Sequence, residues 1–204
     1  NWTTGRDDWG SLIGPGVVTA PVSTGNVIAF NTVVQNGGGP GEGGIFLDKT
    51  IGEVRDNIVT GNSGRGIKTN NSVVTIHHND VFDVSDDGLE PDYGYANVRM
   101  WCNRLTNCRY NALSFQPMYC GPWYFIRNQI ITAGGVFKFR VQDRFLLAHN
   151  TIVGWNPFDT RMHHLLSARS RNNLFIAAGE RRPRAMFWMA ADCREPKYCI
   201  PNDY

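Results

Sequence analysis

The chain has 204 residues, enough for one domain with a sizeable core. Valine, isoleucine and threonine total 42 residues against 31 for alanine, leucine, lysine and glutamate, which argues against a mostly helical protein. The formal net charge of +2 gives no general attraction to nucleic acid, and no apolar run is long enough to span a membrane. We therefore expect one domain of short strands and many turns, with neither a nucleic-acid nor a membrane partner.

The chain starts irregularly and then repeats. Residues 1–25 contain Gly14, Pro15 and Gly16 and are predicted to form an irregular N-terminal part. Residues 26–176 repeat at intervals of 22 to 26 residues, and each repeat contains an asparagine, a short strand-like run, and two further runs separated by turns. The repeated asparagines are Asn31, Asn57, Asn79, Asn103, Asn128, Asn150 and Asn173.

This period predicts an all-β fold, a parallel β-helix with three strands in each of about seven turns. We expect each repeated asparagine to adopt the left-handed backbone conformation of a bend. Its amide should then hydrogen-bond to the asparagines above and below, as a ladder. Residues 177–204 break the repeat, so residues 1–204 are interpreted as a single domain and as a fragment of a longer chain.

Five cysteines occur, and their spacing lacks the two CxxC pairs of a structural zinc site. Cys193 and Cys199, in a segment with Pro196 and Pro201, are the expected disulfide pair. A disulfide favours an oxidising compartment, so we expect a secreted or extracytoplasmic protein.

The second run of each repeat carries the candidate site. Residues i and i+2 of a strand share a face, and apolar positions from Ile45 to Leu166 define the inward one. The outward positions are Phe46, Lys68, Glu90, Ser114, Lys138 and Ser167, and beside them Asp48, Asn70, Asp92, Gln116, Arg140 and Arg169. Stacked strands lie about 4.8 Å apart, so Lys68 should neighbour Glu90, with Lys138 about 10 Å further along the face.

The repeated N-x-[IV] pattern, the Gly-[IL] strand starts, DDGLE at residues 86–90 and HNTIVG at residues 149–154 together resemble a known superfamily. This is the right-handed parallel β-helix (pectin lyase-like) superfamily with PbH1-type repeats, which includes pectate lyases, polygalacturonases, alginate lyases and uronan epimerases. The resemblance covers roughly residues 26–176. It implies a right-handed coil and a carbohydrate-active protein whose substrate cleft lies on the second strand and its flanking turns.

The outward set also resembles the calcium cluster of the alginate and dermatan lyase branch. This resemblance implies that Asn70, Glu90 and Asp92 are oxygen ligands of Ca²⁺. Neutralising the carboxylate of a uronic acid makes its C5 proton removable, and Lys68 or Lys138 is the expected base. The leading prediction is therefore a polysaccharide lyase or epimerase.

Other outward residues are expected to contact the acidic polysaccharide. Arg140 would steady a substrate carboxylate or assist the leaving oxygen. Substrate contacts are expected from Ser114 and Gln116 on the cleft floor, from Tyr93 and Tyr95 as stacking platforms, and from Arg169 in the sixth turn.

Two other functions stay open. Asp86 and Asp87 look like the tandem aspartates of polygalacturonases, in which paired carboxylates hydrolyse the glycosidic bond. The same two residues before Gly88 also fit an ordinary turn. A non-catalytic shaft or binding module, like an adhesin or a phage spike, needs only the stacked turns.

Overall fold

The structure is a computed structural model, and its placed residues are strands and turns. The described residues are 23–34, 43–61, 64–93, 97–115, 122–139, 141–142, 144–156, 159–160, 164–165, 168–177 and 188–189. Within these ranges there is no helix of the length and apolarity needed to cross a membrane. The predicted disulfide of Cys193 and Cys199 lies outside the described residues.

The strands, numbered β1 to β22 in chain order, stack in three columns. The first column is a seven-stranded sheet of β1 (Ser23–Ala29), β4 (Thr50–Arg55), β7 (Val73–His77), β10 (Arg99–Trp101), β13 (Trp123–Ile126), β16 (Phe145–Ala148) and β20 (Ala168–Arg171). The second column contains β2 (Thr32–Val34), β5 (Ile58–Thr60), β8 (Asp80–Phe82), β11 (Arg104–Thr106), the first half of β14 (Gln129–Phe139), β17 (Thr151–Asn156) and β21 (Leu174–Ala177).

The third column, which carries the candidate site, is joined to the second because the long strand β14 runs through both. It contains β3 (Gly43–Asp48), β6 (Arg65–Asn70), β9 (Leu89–Asp92), β12 (Asn111–Phe115), the second half of β14, β18 (Asp159–Thr160) and β22 (Trp188–Met189). A separate pair is formed by β15 (Val141–Gln142) and β19 (His164–Leu165).

All the strand pairings are parallel, and each strand pairs with its equivalent in the next repeat, as in β1 with β4 and β6 with β9. The predicted all-β parallel β-helix is thus confirmed. The coil makes about five turns rather than the predicted seven. Each column contains seven strands, but only the first five turns have a third-column strand longer than two residues, because β18 and β22 have two residues each.

The asparagine ladder is confirmed over all seven predicted positions. From Asn57 to Asn173, each side-chain oxygen accepts hydrogen bonds from the backbone N–H and the side-chain amide of the preceding ladder asparagine, at 2.8 to 3.2 Å. Asn103 also donates from Nδ2 to the Ile76 carbonyl at 3.0 Å. These bonds satisfy polar atoms that the coil buries.

The predicted backbone conformation of the asparagines was wrong by one residue. The left-handed conformation belongs to the residue before each asparagine: Phe30, Asp56, His78, Cys102, Arg127, His149 and Asn172, with φ between 50° and 59°. The bend precedes the asparagine, so the asparagine side chain is turned inward along the coil axis. Left-handed conformations are unfavourable for residues with a Cβ, and here the ladder hydrogen bonds that follow each bend offset that cost.

The core lies inside the coil, between the columns. In the third column the predicted inward residues are in register and buried: Ile45, Ile67, Leu89, Leu113 and Phe137. Gly88 lets two turns approach closely, because an added Cβ would lie 2.7 Å from the Ala112 carbonyl oxygen and 2.6 Å from the Cys108 sulfur. This contact fixes the start of β9, where the candidate site begins.

The predicted position of Arg169 was also wrong. The sequence placed it in the third column, but it lies in β20 of the first column, where it pairs with Leu146. Lys138 of the third column instead pairs with Asp159 in the next turn. The prediction treated every repeat as equally long. In this turn the third-column strand is β18, at residues 159–160, so Arg169 falls in the first-column strand that follows.

Candidate acid–base site

The third column carries the predicted polar side chains opposite its apolar row, yet most of them are buried. The register pairs Lys68 with Glu90 and Asn70 with Asp92, as the sequence predicted. Lys68 is 7% exposed, Glu90 1% and Asp92 6%. Buried charges are costly unless they are paired and hydrogen-bonded, so the partners of these groups are informative.

Glu90 is the centre of an ion-pair network at the start of the column. Lys68 Nζ lies 3.7 Å from Glu90 Oε1 and 3.8 Å from Asp92 Oδ2. Arg65 Nε contacts Glu90 Oε2 and lies 3.5 Å from Asp86 Oδ2. Two cations from β6 therefore face three carboxylates in and just before β9.

Glu90 and Asp92 are directly coupled through a hydrogen bond between their carboxyl groups. Burial raises the pKa of Asp92 well above its usual range, the charge and hydrogen bond of Glu90 raise it further, and Lys68 opposes the rise. Burial also raises the pKa of Glu90, although Asp92, Lys68 and Arg65 act to lower it. A hydrogen bond between two carboxyl groups requires a proton, and the larger rise in pKa favours Asp92 as its holder.

Asp87 forms a second buried acid group beside this pair. It is 1% exposed, accepts a hydrogen bond from Asn111 Nδ2 at 2.7 Å, and lies 3.5 Å from Lys138 Nζ. Burial raises the pKa of Asp87, while Lys138, Asn111 and the buried Ser114 hydroxyl lower it. The negative charge of Asp87 in turn helps to raise the pKa of both Glu90 and Asp92.

The adjacent Asp86 and Asp87 have different partners. Asp86 is partly exposed and faces Arg65, whereas Asp87 is buried against Lys138 and Asn111. Both residues lie in the bend before β9, as the turn interpretation expected. The bend brings Asp87 into the site, so its role extends beyond that of a solvated turn residue.

The accessible edge of the site is formed by Lys138 and Tyr110. The Lys138 side chain is 23% exposed, and its Nζ lies 5.6 Å from the centre of the Tyr110 ring. Tyr110 is 62% exposed, which leaves an aromatic surface beside an ammonium group. Aromatic rings and cations in this arrangement suit a sugar that carries a negative charge.

Sequence reasoning missed Arg65, Tyr110 and Asn111. Strand alternation suggested that residues two positions before Ile67 and Leu113 point inward with them. The alternation fails at the first residue of each strand, where the chain leaves a bend. The available signal was that this position is polar in three successive repeats, as Arg65, Asp87 and Asn111.

The structure assembles most of the predicted site residues and leaves some untested. It brings together Lys68, Asp86, Asp87, Glu90, Asp92, Ser114 and Lys138, through the contacts given above. Arg140, Gln116 and Tyr95 lie outside the described residues. Tyr93 is half-buried with φ of 50°, in the bend that follows β9.

The predicted calcium ligands fit a cation poorly. Lys68 already lies within 4 Å of both Glu90 and Asp92, and the raised pKa of Asp92 opposes the ionised form that a metal ligand needs. Asn70 offers a buried side-chain oxygen with no hydrogen-bond partner among the described residues. No group of three or more His, Cys, Asp or Glu side chains in the described ranges is arranged to hold a metal ion. Calcium stays a prediction.

Two thiols lie within the described residues, and both are free. Cys102 is partly exposed, and Cys108 is buried. Burial raises the pKa of the Cys108 thiol to about 12, and Asp87 and Asp83 add to the rise. This thiol therefore stays protonated and serves as a small apolar group under Gly88.

Comparisons with known proteins give no independent assignment. No protein family, curated protein or solved structure gives a significant match to the chain. The class that the fold and the site define is a parallel β-solenoid with a buried acid–base cluster on one column. The chemistry of that cluster is therefore the evidence for its function.

Proposed function

We propose that the protein is a secreted carbohydrate-active enzyme that cleaves glycosidic bonds in a uronic-acid-containing polysaccharide by general acid–base catalysis. The observation that carries this proposal is the buried Glu90–Asp92 carboxyl pair, held by Lys68 and Arg65 beside a third acid, Asp87. A buried ion network of this kind does not in general stabilise a fold better than apolar residues would. Carboxyl groups with displaced pKa values are typical of catalytic sites.

Hydrolysis uses these groups most directly. In the proposed step the protonated Asp92 donates its proton to the glycosidic oxygen, and the bond from the anomeric carbon to that oxygen breaks. Asp87 takes a proton from the water whose oxygen forms the new bond to the anomeric carbon. The enzyme regains its starting protonation when Asp87 releases a proton to solvent and Asp92 takes one up.

The remaining groups have supporting roles in this proposal. Glu90 holds the proton on Asp92 through its charge and hydrogen bond, so it is a positioning residue. Lys138 and Tyr110, at the accessible edge, would bind the uronic acid carboxylate and the sugar ring. Asn111 orients the Asp87 carboxylate by donating to its Oδ1 atom.

Elimination is the second candidate, favoured by one observation. Lys138 is the most accessible amine of the site and lies next to the exposed Tyr110. As a free amine Lys138 would remove the C5 proton. The electron pair then forms the C4–C5 double bond, and the C4 oxygen leaves with a proton from Asp92. Hydrolysis is preferred because it uses the two buried acids directly, whereas elimination needs Lys138 to leave its ion pair with Asp87 and act as the base.

Product analysis separates these reactions. The protein is incubated with pectate, alginate and chondroitin sulfate, with and without Ca²⁺, and new reducing ends and ultraviolet absorbance are measured. Hydrolysis gives reducing ends without absorbance, and elimination gives both because its product contains a conjugated double bond. Asp92→Asn and Asp87→Asn should remove the activity, whereas Asp80→Asn, which changes an acid paired with Arg104 in the second column, should keep it. Absence of products from all three polymers would contradict the proposal.

A further inference from the structure

The outer face of the first column becomes more positively charged along the coil. In β10, β13 and β16 the middle positions point into the core, where Met100, Phe125 and Leu147 are buried. Their neighbours on each strand therefore face outward. Among the described residues from β10 to β20, the outward strand positions and the bends that follow these strands contain no acidic residue and four exposed arginines: Arg99, Arg127, Arg169 and Arg171. A fifth exposed arginine, Arg144, lies in the bend before β16.

These four arginines differ from Arg55 and Arg104 in their partners. Within the described ranges none of the four has a carboxylate at ion-pair distance, and Arg99 Nε donates only to the Asn97 side-chain oxygen at 3.0 Å. By contrast, Arg55 pairs with Glu53 and Asp56 in the first half of the same sheet. The positive charge of the second half is thus not neutralised by ion pairs among the described residues.

A groove lies between the first two of these arginines. Its volume is about 360 Å³, and its lining includes Arg99, Trp101, Tyr124, Ile126 and Arg127. That volume lies in the usual range of small-ligand sites, about 300 to 1,000 Å³. Trp101 is held by the His77 ring, which stacks on it at a centroid distance of 4.5 Å and an interplanar angle of 5°.

The arginines follow the axis of the coil. The register runs from Arg99 through Tyr124 and Leu146 to Arg169, and from Trp101 through Ile126 and Ala148 to Arg171. At about 4.8 Å per turn, the basic strip from β10 to β20 is about 14 Å long. A linear polyanion that lies along this axis would contact Arg99 at one end of the strip and Arg169 and Arg171 at the other. The positions between them are apolar or aromatic: Tyr124, Ile126, Leu146 and Ala148.

We propose that this strip, defined by Arg99, Arg127, Arg169 and Arg171 around the Trp101–Tyr124 groove, is a second, non-catalytic binding surface for an anionic polysaccharide. Guanidinium groups bind carboxylates and sulfates in a bidentate manner. The choice of a polysaccharide among polyanions rests on the function proposed above. The strip lies in a different column from the acid–base site, so it would hold the polymer without taking part in the cleavage.

Affinity electrophoresis tests the strip without requiring catalysis. The protein is run in native gels that contain alginate, chondroitin sulfate, uncharged dextran or double-stranded DNA. We expect retardation by at least one acidic polysaccharide and not by dextran. The Arg127→Ser/Arg169→Ser double variant should bind that polysaccharide about tenfold more weakly, an effect typical of losing charged contacts. Arg104→Ser removes an exposed arginine of the second column that already pairs with Asp80, and it should leave the retardation unchanged.

Specific outcomes would overturn the proposal. These are a double variant that is retarded as strongly as the parent, equal loss in Arg104→Ser, or tighter binding of DNA than of any polysaccharide. The result is independent of the cleavage reaction. If polymers are bound through the strip but none is cleaved, the strip stands and the acid–base proposal fails. If cleavage occurs and the double variant cleaves polymers and short oligosaccharides at parental rates, the strip fails.

Discussion

Two rows of buried polar side chains run along this coil, the asparagine ladder and the acid–base site. They differ in charge, in residue type and in hydrogen-bond partners. The asparagine ladder is neutral, repeats the same residue, and gives each member the same partners. The acid–base site is charged, differs from turn to turn, and raises the pKa of Asp87, Glu90 and Asp92 through burial. A repeated row in which every polar group has a hydrogen-bond partner contributes to the stability of the fold. An irregular row whose burial raises the pKa of its carboxyl groups is suited to acid–base catalysis.

This contrast assigns stability to the asparagine ladder and activity to the acid–base site. Substitutions in the ladder should therefore lower the free energy of unfolding, and substitutions in the acid–base site should lower the cleavage rate. The largest expected effect is on activity. Asp92→Asn keeps the shape and the neutral charge of the protonated acid but removes the transferable proton, so the cleavage rate should fall by about 10²- to 10⁴-fold. Thermal unfolding should show a folded protein of at least parental stability. A cleavage rate within a factor of two of the parent would remove Asp92 from the mechanism.

The converse prediction concerns the ladder. Asn103→Ala removes the acceptor of two bonds from Asn79 and the donor to the Ile76 carbonyl. Buried groups left without partners cost about 1–3 kcal/mol each, so we expect a loss of about 3 kcal/mol in the free energy of unfolding. Denaturant titration measures it. The rate per folded molecule should stay at the parental value, and a rate loss matching that of Asp92→Asn would erase the distinction between the rows.

A third substitution acts in the bend just before β9, next to Asp87 of the acid–base site. Gly88→Ala places a Cβ 2.7 Å from the Ala112 carbonyl oxygen, so the turns must separate slightly. We expect a stability loss of about 1–3 kcal/mol, the usual cost of overpacking. The shift also moves the neighbouring Asp87, so the activity should fall as well. Unchanged stability would show that the spacing at the start of β9 is looser than described.

The smallest expected effect is the pH dependence of stability. The folded-state pKa of Asp92 is raised, so the folded state retains a proton that the unfolded chain releases. This contribution is fully present below the pKa of the unfolded aspartate and is lost as pH rises through the folded value. Glu90 and Asp87 act in the same direction. Asp92→Asn should weaken this decline by on the order of 1 kcal/mol, and equal slopes for both proteins would contradict the raised pKa.

The fold could be predicted from the sequence because the residue pattern that determines it occurs in every repeat. Seven asparagines at similar spacing point to one structure, and single errors, such as the left-handed residue preceding each asparagine, do not alter it. The apolar row from Ile45 to Phe137 likewise fixed the faces of the third column. The position of Arg169 failed because it depended on one irregular turn.

The site could be predicted only in part. Lys68, Glu90 and Asp92 follow strand alternation and came together as expected. Arg65 and Asn111 sit where strands leave their bends, and alternation gives the wrong direction there. Burial was the largest surprise, because an outward position of a strand is ordinarily solvated, and strand alternation alone does not show what covers it.

The protonation state of Asp92 is the most direct test of the acid–base site. Carboxyl ¹³C NMR of the folded protein, compared with Asp92→Asn, reports it without any substrate. We expect one carboxyl resonance that keeps its neutral position after the exposed carboxyls have ionised and that disappears in the variant. If every aspartate and glutamate carboxyl ionises over the ordinary pH range of exposed carboxyls, then no proton is stored between Glu90 and Asp92 and the account is wrong.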